Sequence, residues 1–286
     1  MEPFVSWRRD TVRAAGATLV RATAGSADPR AQVVLLVHGL GQWSEIAWSR
    51  LVARMSPARR YVAIDLPGLG RSEKPDVRYD RAYFAAALAD VAQTLGTERY
   101  ALAGHSLGGF LAAGHAAAHP QAVTHLALIA PAGFARVRRW YAYGLAARWL
   151  SAAAQLQPPR AVLAAIARRA VFDPASLQPD EFEMMLAQAA DPRVRRTFAR
   201  LYGAIVPLLN EHTRILEEFA RYRGPVCAVW GAHDRFIPRR SIAAVERVYP
   251  HAMRVVLARS AHLPMIEEPD TTAAAFETLL ATNPPS

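Results

Sequence analysis

The stretch "RYALAGHSLGGF", Arg99 to Phe110, constrains this chain more than any other. Tyr100 to Ala103 is an apolar run with the length of a fully buried strand, and Leu107 to Ala118 reads as a helix of small residues ending before His119 and Pro120. Ser106 falls on the turn between them. A strand that reverses into a helix within so few residues strains the backbone, and glycine at 104 and 108 removes the Cβ atoms that would collide there. The turn therefore holds one hydroxyl clear of a sheet edge. A plain glycine-rich turn has the same letters, so the meaning of G-x-S-x-G rests on what surrounds it.

What surrounds it is an alternation of strands and helices. Residues 11 to 24 suit a hairpin turning near Gly16, and buried strands are predicted over Gln32 to Val37, Tyr61 to Asp65 and Val123 to Ile129, with the clearest intervening helix over Arg81 to Leu95. This rhythm implies a mostly parallel sheet covered on both faces. From Phe134 to Tyr222 no strand pattern occurs; breaks at Pro158-Pro159, Pro174, Pro179 and Pro192 suggest four or so short helices. The rhythm then resumes with "PVCAVWG" as a strand, Arg239 to Val248 as a helix, "MRVVLA" as a strand and Thr271 to Ala281 as a closing helix. The expected division is an α/β core over 1–133 and 223–286 with a helical cap inserted at 134–222, lying over the carboxyl ends of the strands where open sheets bind ligands.

Composition excludes several alternatives. The net charge of +10 invites a nucleic-acid reading, but the basic residues are scattered, and all of them except Lys74 are arginine. No nucleic-acid partner is expected. The N-terminal "MEPFVSWRRD" lacks the apolar segment of a secretory signal, and no window approaches a membrane span, so a cytoplasmic location is expected. The single cysteine, Cys227, reads as a buried strand residue. The glycine loop "HGLGQW" lacks the Gly-Lys-Ser/Thr ending and the spacing of a phosphate-binding turn, so neither nucleotide nor metal is expected.

A serine hydroxyl is a poor nucleophile until a base takes its proton and a third group fixes that base. His262 follows the strand "MRVVLA" through "RSAH", and Asp234 follows "VCAVW" through "GAHD". The order Ser106, Asp234, His262 is the chain order that accompanies this elbow. Oxyanion donors are expected from the N–H groups of Leu107 and of Leu40, the latter flanked by Gly39 and Gly41. Among the competitors, His38 reads as a loop support, His105 as facing away from the nucleophile, and His115, His119, His125, His212 and His251 as structural. His233 adjoins Asp234, but only one of the pair can reach the loop tip. Glu267 and Asp270 are weaker acid candidates because they follow the histidine.

Four blocks, "HGLGQWSEIAW", "DLPGLGRSEKP", "GHSLGG" and the pair "VWGAHDRFIP" with "SAHLPMIEEP", together resemble the α/β-hydrolases in both order and spacing. They are similar in particular to the bacterial serine esterases and lipases of the family V type. The resemblance implies an eight-stranded, mostly parallel sheet with helices on both faces, a helical cap after the sixth strand, and an acyl-enzyme mechanism without cofactor. It assigns Ser106 as nucleophile, His262 as base, Asp234 as its partner, and Leu40 with Leu107 as oxyanion donors. Epoxide hydrolases and haloalkane dehalogenases carry aspartate where Ser106 stands. Carbon–carbon bond hydrolases usually show "GNSxGG" and "HGxGPG", where this chain has His105 and Gln42-Trp43.

The expected substrate is a small-molecule ester with a small to medium-chain apolar acyl group. Trp43, Trp140, Met184 and Leu263 are candidates for its pocket, although aromatic and Met residues in short helices equally form a cap's own core. The segment "FARVRRWYAYGLAARWL" places aromatics and arginines on one helix and suits transient contact with a lipid surface. Two alternatives stay open: a carbon–carbon or thioester hydrolase on the same triad, and a ligand-binding protein that retains the triad without turnover.

Overall fold

A computed structural model describes residues 5–135, 159–205, 212–237 and 240–283. Two strands, β1 (Arg8–Ala14) and β2 (Ala17–Gly25), form an antiparallel hairpin turning through Ala15 and Gly16, both at positive φ. Six more follow: β3 (Val33–Val37), β4 (Arg60–Ile64), β5 (Tyr100–His105), β6 (Val123–Ile129), β7 (Val226–Gly231) and β8 (Met253–Leu257). They join in one eight-stranded sheet of order β1-β2-β4-β3-β5-β6-β7-β8, antiparallel at β1/β2 and β2/β4 and parallel elsewhere. Every residue of β3, β5 and β7 is buried, as expected of strands with helices on both faces. The hairpin, by contrast, alternates along β2, where one face carries polar side chains.

The helices of the α/β rhythm are α1 (Ser44–Val52), α2 (Arg81–Gln93) and α3 (Leu107–Ala118). Asp80 caps α2 by accepting from the Tyr83 N–H. Among the described residues that follow β6 are α4 (Arg160–Arg169), a short 3₁₀ turn (Pro174–Ser176), α5 (Pro179–Ala190), α6 (Pro192–Ile205) and α7 (His212–Phe219). The prolines anticipated as breaks stand instead at helix starts, where their missing N–H costs nothing. The chain closes with α8 (Arg240–Val248), α9 (Pro264–Glu267) and α10 (Pro269–Leu280). Most boundaries shift by a residue or two, and two departures share a cause, a proline at a helix start. The motif "HLPMIEEP" conceals the short α9, and Pro269 starts α10 earlier than Thr271.

The strand order places the site. Chain direction across the sheet reverses about β3, because β4 lies on one side of it and β5 on the other. Loops leaving β3 and β5 therefore diverge at their carboxyl ends and open a crevice, the position where such sheets bind ligands.

Candidate active site

Ser106 stands at that crevice, between β5 and α3, with φ +52° and ψ −114°. This strained conformation is rare for a residue with a side chain. Its surroundings hold it there. The Ser106 N–H donates to the Ile129 carbonyl at 2.9 Å, and its own carbonyl accepts from Phe110 and Ala132. The glycines prove to be required by close approach: a Cβ on Gly104 would come within 2.3 Å of the Gly108 carbonyl oxygen, and one on Gly108 within 2.2 Å of the Val37 oxygen. A Cβ on Gly39 would lie 2.5 Å from His105 Nδ1 and 3.1 Å from the Ser106 Cβ, so the glycine loop after β3 presses directly on the elbow. Leu40 in that loop is half-buried. Leu107 opens α3, and its N–H is among those with no acceptor inside the helix.

His262 Nδ1 lies 2.9 Å from Asp234 Oδ2. The carboxylate is fully enclosed, and its other oxygen, Oδ1, accepts from the backbone N–H groups of Phe236 and Ile237 at 2.8 and 2.9 Å. A carboxylate held this way cannot turn from the imidazole. Because Oδ2 only accepts, Nδ1 carries the proton, and Nε2 is left with the lone pair a base needs. His233 resolves the rivalry within "GAHD": it is exposed and its ring lies against Phe172, 4.4 Å between centroids.

The other candidates fall in different places. Trp43 is buried beneath the Arg71 guanidinium, 5.9 Å from its ring centre, and Leu263 is buried at the start of α9. Met184 is exposed on α5. Trp140, with most of the aromatic segment that follows Phe134, lies outside the described residues. His38 supports its loop as expected: Nε2 accepts from the Leu66 N–H at 2.9 Å, and burial pushes its pKa down. His115 bonds the Tyr100 hydroxyl, and His125, His212 and His251 bond the carbonyls of Thr282, Phe134 and Gly224. Burial pushes the Cys227 thiol up to about 12, so it stays protonated and unreactive at neutral pH.

Three polar residues cluster about His262: His105, Gln42 and the weaker acid candidate Glu267. His105 is buried, with Nε2 at 2.8 Å from the His262 carbonyl oxygen and Nδ1 at 2.8 Å from Gln42 Oε1. Glu267 accepts from the Ala261 N–H at 2.7 Å and also from Phe172 and Asp173, and burial pushes its carboxyl pKa upward. Only the glutamate had a sequence signal, its fixed offset from the histidine in "HLPMIEEP".

The helical segment touches these same loops. Gln188 Nε2 donates to the Gln42 carbonyl at 3.1 Å, and the His262 N–H donates to the Ala170 carbonyl at 2.8 Å. Among the described residues, no group of three His, Cys, Asp or Glu side chains is placed to hold a metal, and no helix is long and apolar enough to cross a membrane.

The chain is similar to known proteins. An uncharacterized protein of Mycobacterium tuberculosis is 27% identical over 261 residues, covering 88% of this chain and 76% of its own. The crystal structure of a membrane phospholipase A, described as a bacterial virulence factor, is 25% identical with a TM-score of 0.74, covering 96% of this chain and 86% of that one. The 2-hydroxy-6-oxo-6-phenylhexa-2,4-dienoate hydrolase of a Rhodococcus species shares the fold at a TM-score of 0.80 and 21% identity, covering 97% of this chain and all of that one. The family model for the alpha/beta hydrolase fold matches residues 32–269, a span containing the elbow, the buried carboxylate and the histidine. The chain belongs to the alpha/beta hydrolase fold family.

Proposed function

We propose that this protein is a serine hydrolase of carboxylic esters with small to medium apolar acyl groups, working through an acyl-enzyme without a cofactor. The observation that carries the reading is Ser106 at positive φ on the same sheet edge as a His262 whose Nδ1 is locked to an enclosed Asp234. His262 Nε2 takes the Ser106 proton as Oγ attacks the ester carbonyl. The N–H groups of Leu107 and Leu40 receive the negative charge that develops on the carbonyl oxygen. His262 then gives its proton to the leaving alkoxide, releasing the alcohol. Water attacks the acyl-serine by the reverse proton route, releasing the acid and restoring Ser106. Asp234 stays ionised and stabilises the imidazolium formed in between.

The helical segment 134–222 acts in this reading as a cap over the site. Support comes from its hydrogen bonds to Gln42 and His262, which place it beside the loops that bear the donors and the base. An ester pocket between cap and sheet would be lined by residues such as Trp43 and Leu263 on the sheet side.

The test is hydrolysis of a p-nitrophenyl ester series from acetate to palmitate by wild type and Ser106→Ala, with burst-phase detection. Turnover with a burst in wild type, lost in Ser106→Ala by three or more powers of ten, roughly 4 kcal/mol in the barrier, is expected. Failure of wild type to turn over any ester would remove this reading in favour of a carbon–carbon hydrolase or a ligand-binding protein.

A further inference from the structure

His105 is 1% exposed and lies at the centre of the site without touching the expected path of the reaction. Both its ring nitrogens face a polar neighbour, and the two neighbours make conflicting demands. The His262 carbonyl, 2.8 Å from Nε2, can only accept, so Nε2 carries a proton. Gln42 Oε1, 2.8 Å from Nδ1, would also require a proton there, which makes His105 an imidazolium. Enclosure in the fold, with His262 and His38 as the neighbouring titratable groups, holds the His105 pKa well below the ordinary histidine value. A neutral ring has a lone pair on Nδ1, which a carboxamide oxygen repels. Meanwhile the Gln42 Nε2 is buried with no acceptor. Turning the Gln42 amide by 180° removes the conflict at the ring, because the amide then donates to Nδ1 from the same volume.

The consequence lies in what the two contacts join. Gln42 sits in the loop after β3 that carries Leu40, and His262 is the base; they are brought together across the elbow by the residue preceding Ser106. The His105 and His262 rings lie 4.7 Å apart between centroids, with their planes tilted by 55°. Gly39 packs against His105 so closely that a Cβ there would displace the ring. The Gln42 carbonyl is bonded in turn by Gln188 of α5.

We propose that His105 is a positioning residue: a neutral imidazole that donates from Nε2 to the His262 carbonyl and accepts at Nδ1 from the Gln42 amide. It sets the distance between the base and the oxyanion loop. This role rests on the serine-hydrolase reading; the tautomer and its two bonds do not.

Long-range ¹H–¹⁵N NMR of the labelled wild-type protein tests the tautomer first. The expected result is one histidine, assigned by its loss in His105→Leu, with a protonated Nε2 and an unprotonated Nδ1 that does not titrate between about pH 5.5 and 8. A doubly protonated ring at neutral pH, or a proton on Nδ1, overturns the proposal whether or not the protein turns over esters. In folded His105→Leu, the hydrogen-bonded Nδ1 proton of His262 should shift or broaden, and kcat should fall about 10- to 100-fold with KM nearly unchanged. His105→Gln, which keeps a donor near the Nε2 position, should recover most of kcat. An unchanged His262 proton and unchanged kcat in folded His105→Leu would refute the positioning role. Absence of wild-type turnover would instead strike the serine-hydrolase reading and leave the tautomer and the His262 resonance to decide the strut.

Discussion

The sheet edge that carries Ser106 and the helical segment beside it draw in different proportions on close packing and on side-chain hydrogen bonds. Around the elbow, backbone meets backbone with no room for a Cβ at Gly104 or Gly108, and β3, β5 and β7 have no exposed residue. The helical segment joins the same apolar core through Val194, Ile215 and Phe219, the last packed on Phe110 and Phe134, and adds polar hooks to it. Arg50 reaches from α1 to Glu181 at 2.6 Å and to the Ser176 carbonyl at 2.8 Å, and Arg81 pairs with Glu218 of α7. Gln188 and Ala170 bond the loops of Gln42 and His262. A close-packed region yields only as a whole, because each side chain fills space that its neighbours define. A single directional bond can change without the rest, and here two such bonds end on loops of the site. The comparison teaches that the elbow is held by backbone packing, whereas the helical segment meets the loops of the site through directional bonds as well as apolar contact.

The largest effect that would sharpen this contrast is on the core side. Leu35→Ala, in the centre of a wholly buried β3, should cost about 2–5 kcal/mol of global stability in urea unfolding, with a matching fall in Tm. A loss under about 1 kcal/mol would mean that the sheet relaxes around the cavity and is not close-packed at its centre.

Acidification comes next. His115, buried on α3 with Nε2 2.6 Å from the Tyr100 hydroxyl, has its pKa pushed down to about 4, chiefly by burial. The unfolded imidazole takes a proton below about pH 6.5, and the folded one refuses it until about pH 4. Stability is therefore intact above pH 6.5 and falls as pH drops through that window, by about 3 kcal/mol from this residue. His38 and His105 shift in the same direction, so the slope persists in part when His115 is replaced. Urea midpoints at pH 7 and 4.5 for wild type and His115→Gln check it; equal slopes in the two proteins would show that His115 takes up its proton in the fold.

Arg50→Met removes a hook with its charge, leaving Glu181 without that partner. A stability change of about 1–3 kcal/mol is expected, with a larger fractional change in kcat/KM for long acyl esters than for acetate. An equal effect on all esters would place the hook's role in the core. The smallest effect belongs to Ile166→Ser. Ile166 is 52% exposed on α4, and the substitution should move Tm by no more than about 0.5 kcal/mol equivalent. A drop of 2 kcal/mol would reveal packing on that face.

The elements that read correctly from the chain did so for local reasons. Strand β6 and helix α3 begin and end where apolar runs meet glycine, proline or polar residues, and Ser106 lies between periodic segments that leave no other place for a turn. The loops bearing Asp234 and His262 followed from counting strands. The partners of His105 were not legible because they are 63 and 157 residues away, and a residue facing away from the nucleophile still meets the loops that converge from both sides. The exposure of Met184 and the burial of Trp43 under Arg71 were invisible for the same reason, since the hydropathy of a side chain does not say which element will cover it.

By itself, then, the sequence determined the succession of strands and helices and the elbow, because these are written in local spacings, and the order Ser106, Asp234, His262, because the two later residues each follow a legible strand. Only the tertiary structure decided which imidazole nitrogen faces Asp234, which residues brace His262, and where the helical segment takes hold. Those outcomes depend on where loops far apart in the chain meet at one sheet edge, and that meeting is set by the packing of the whole domain.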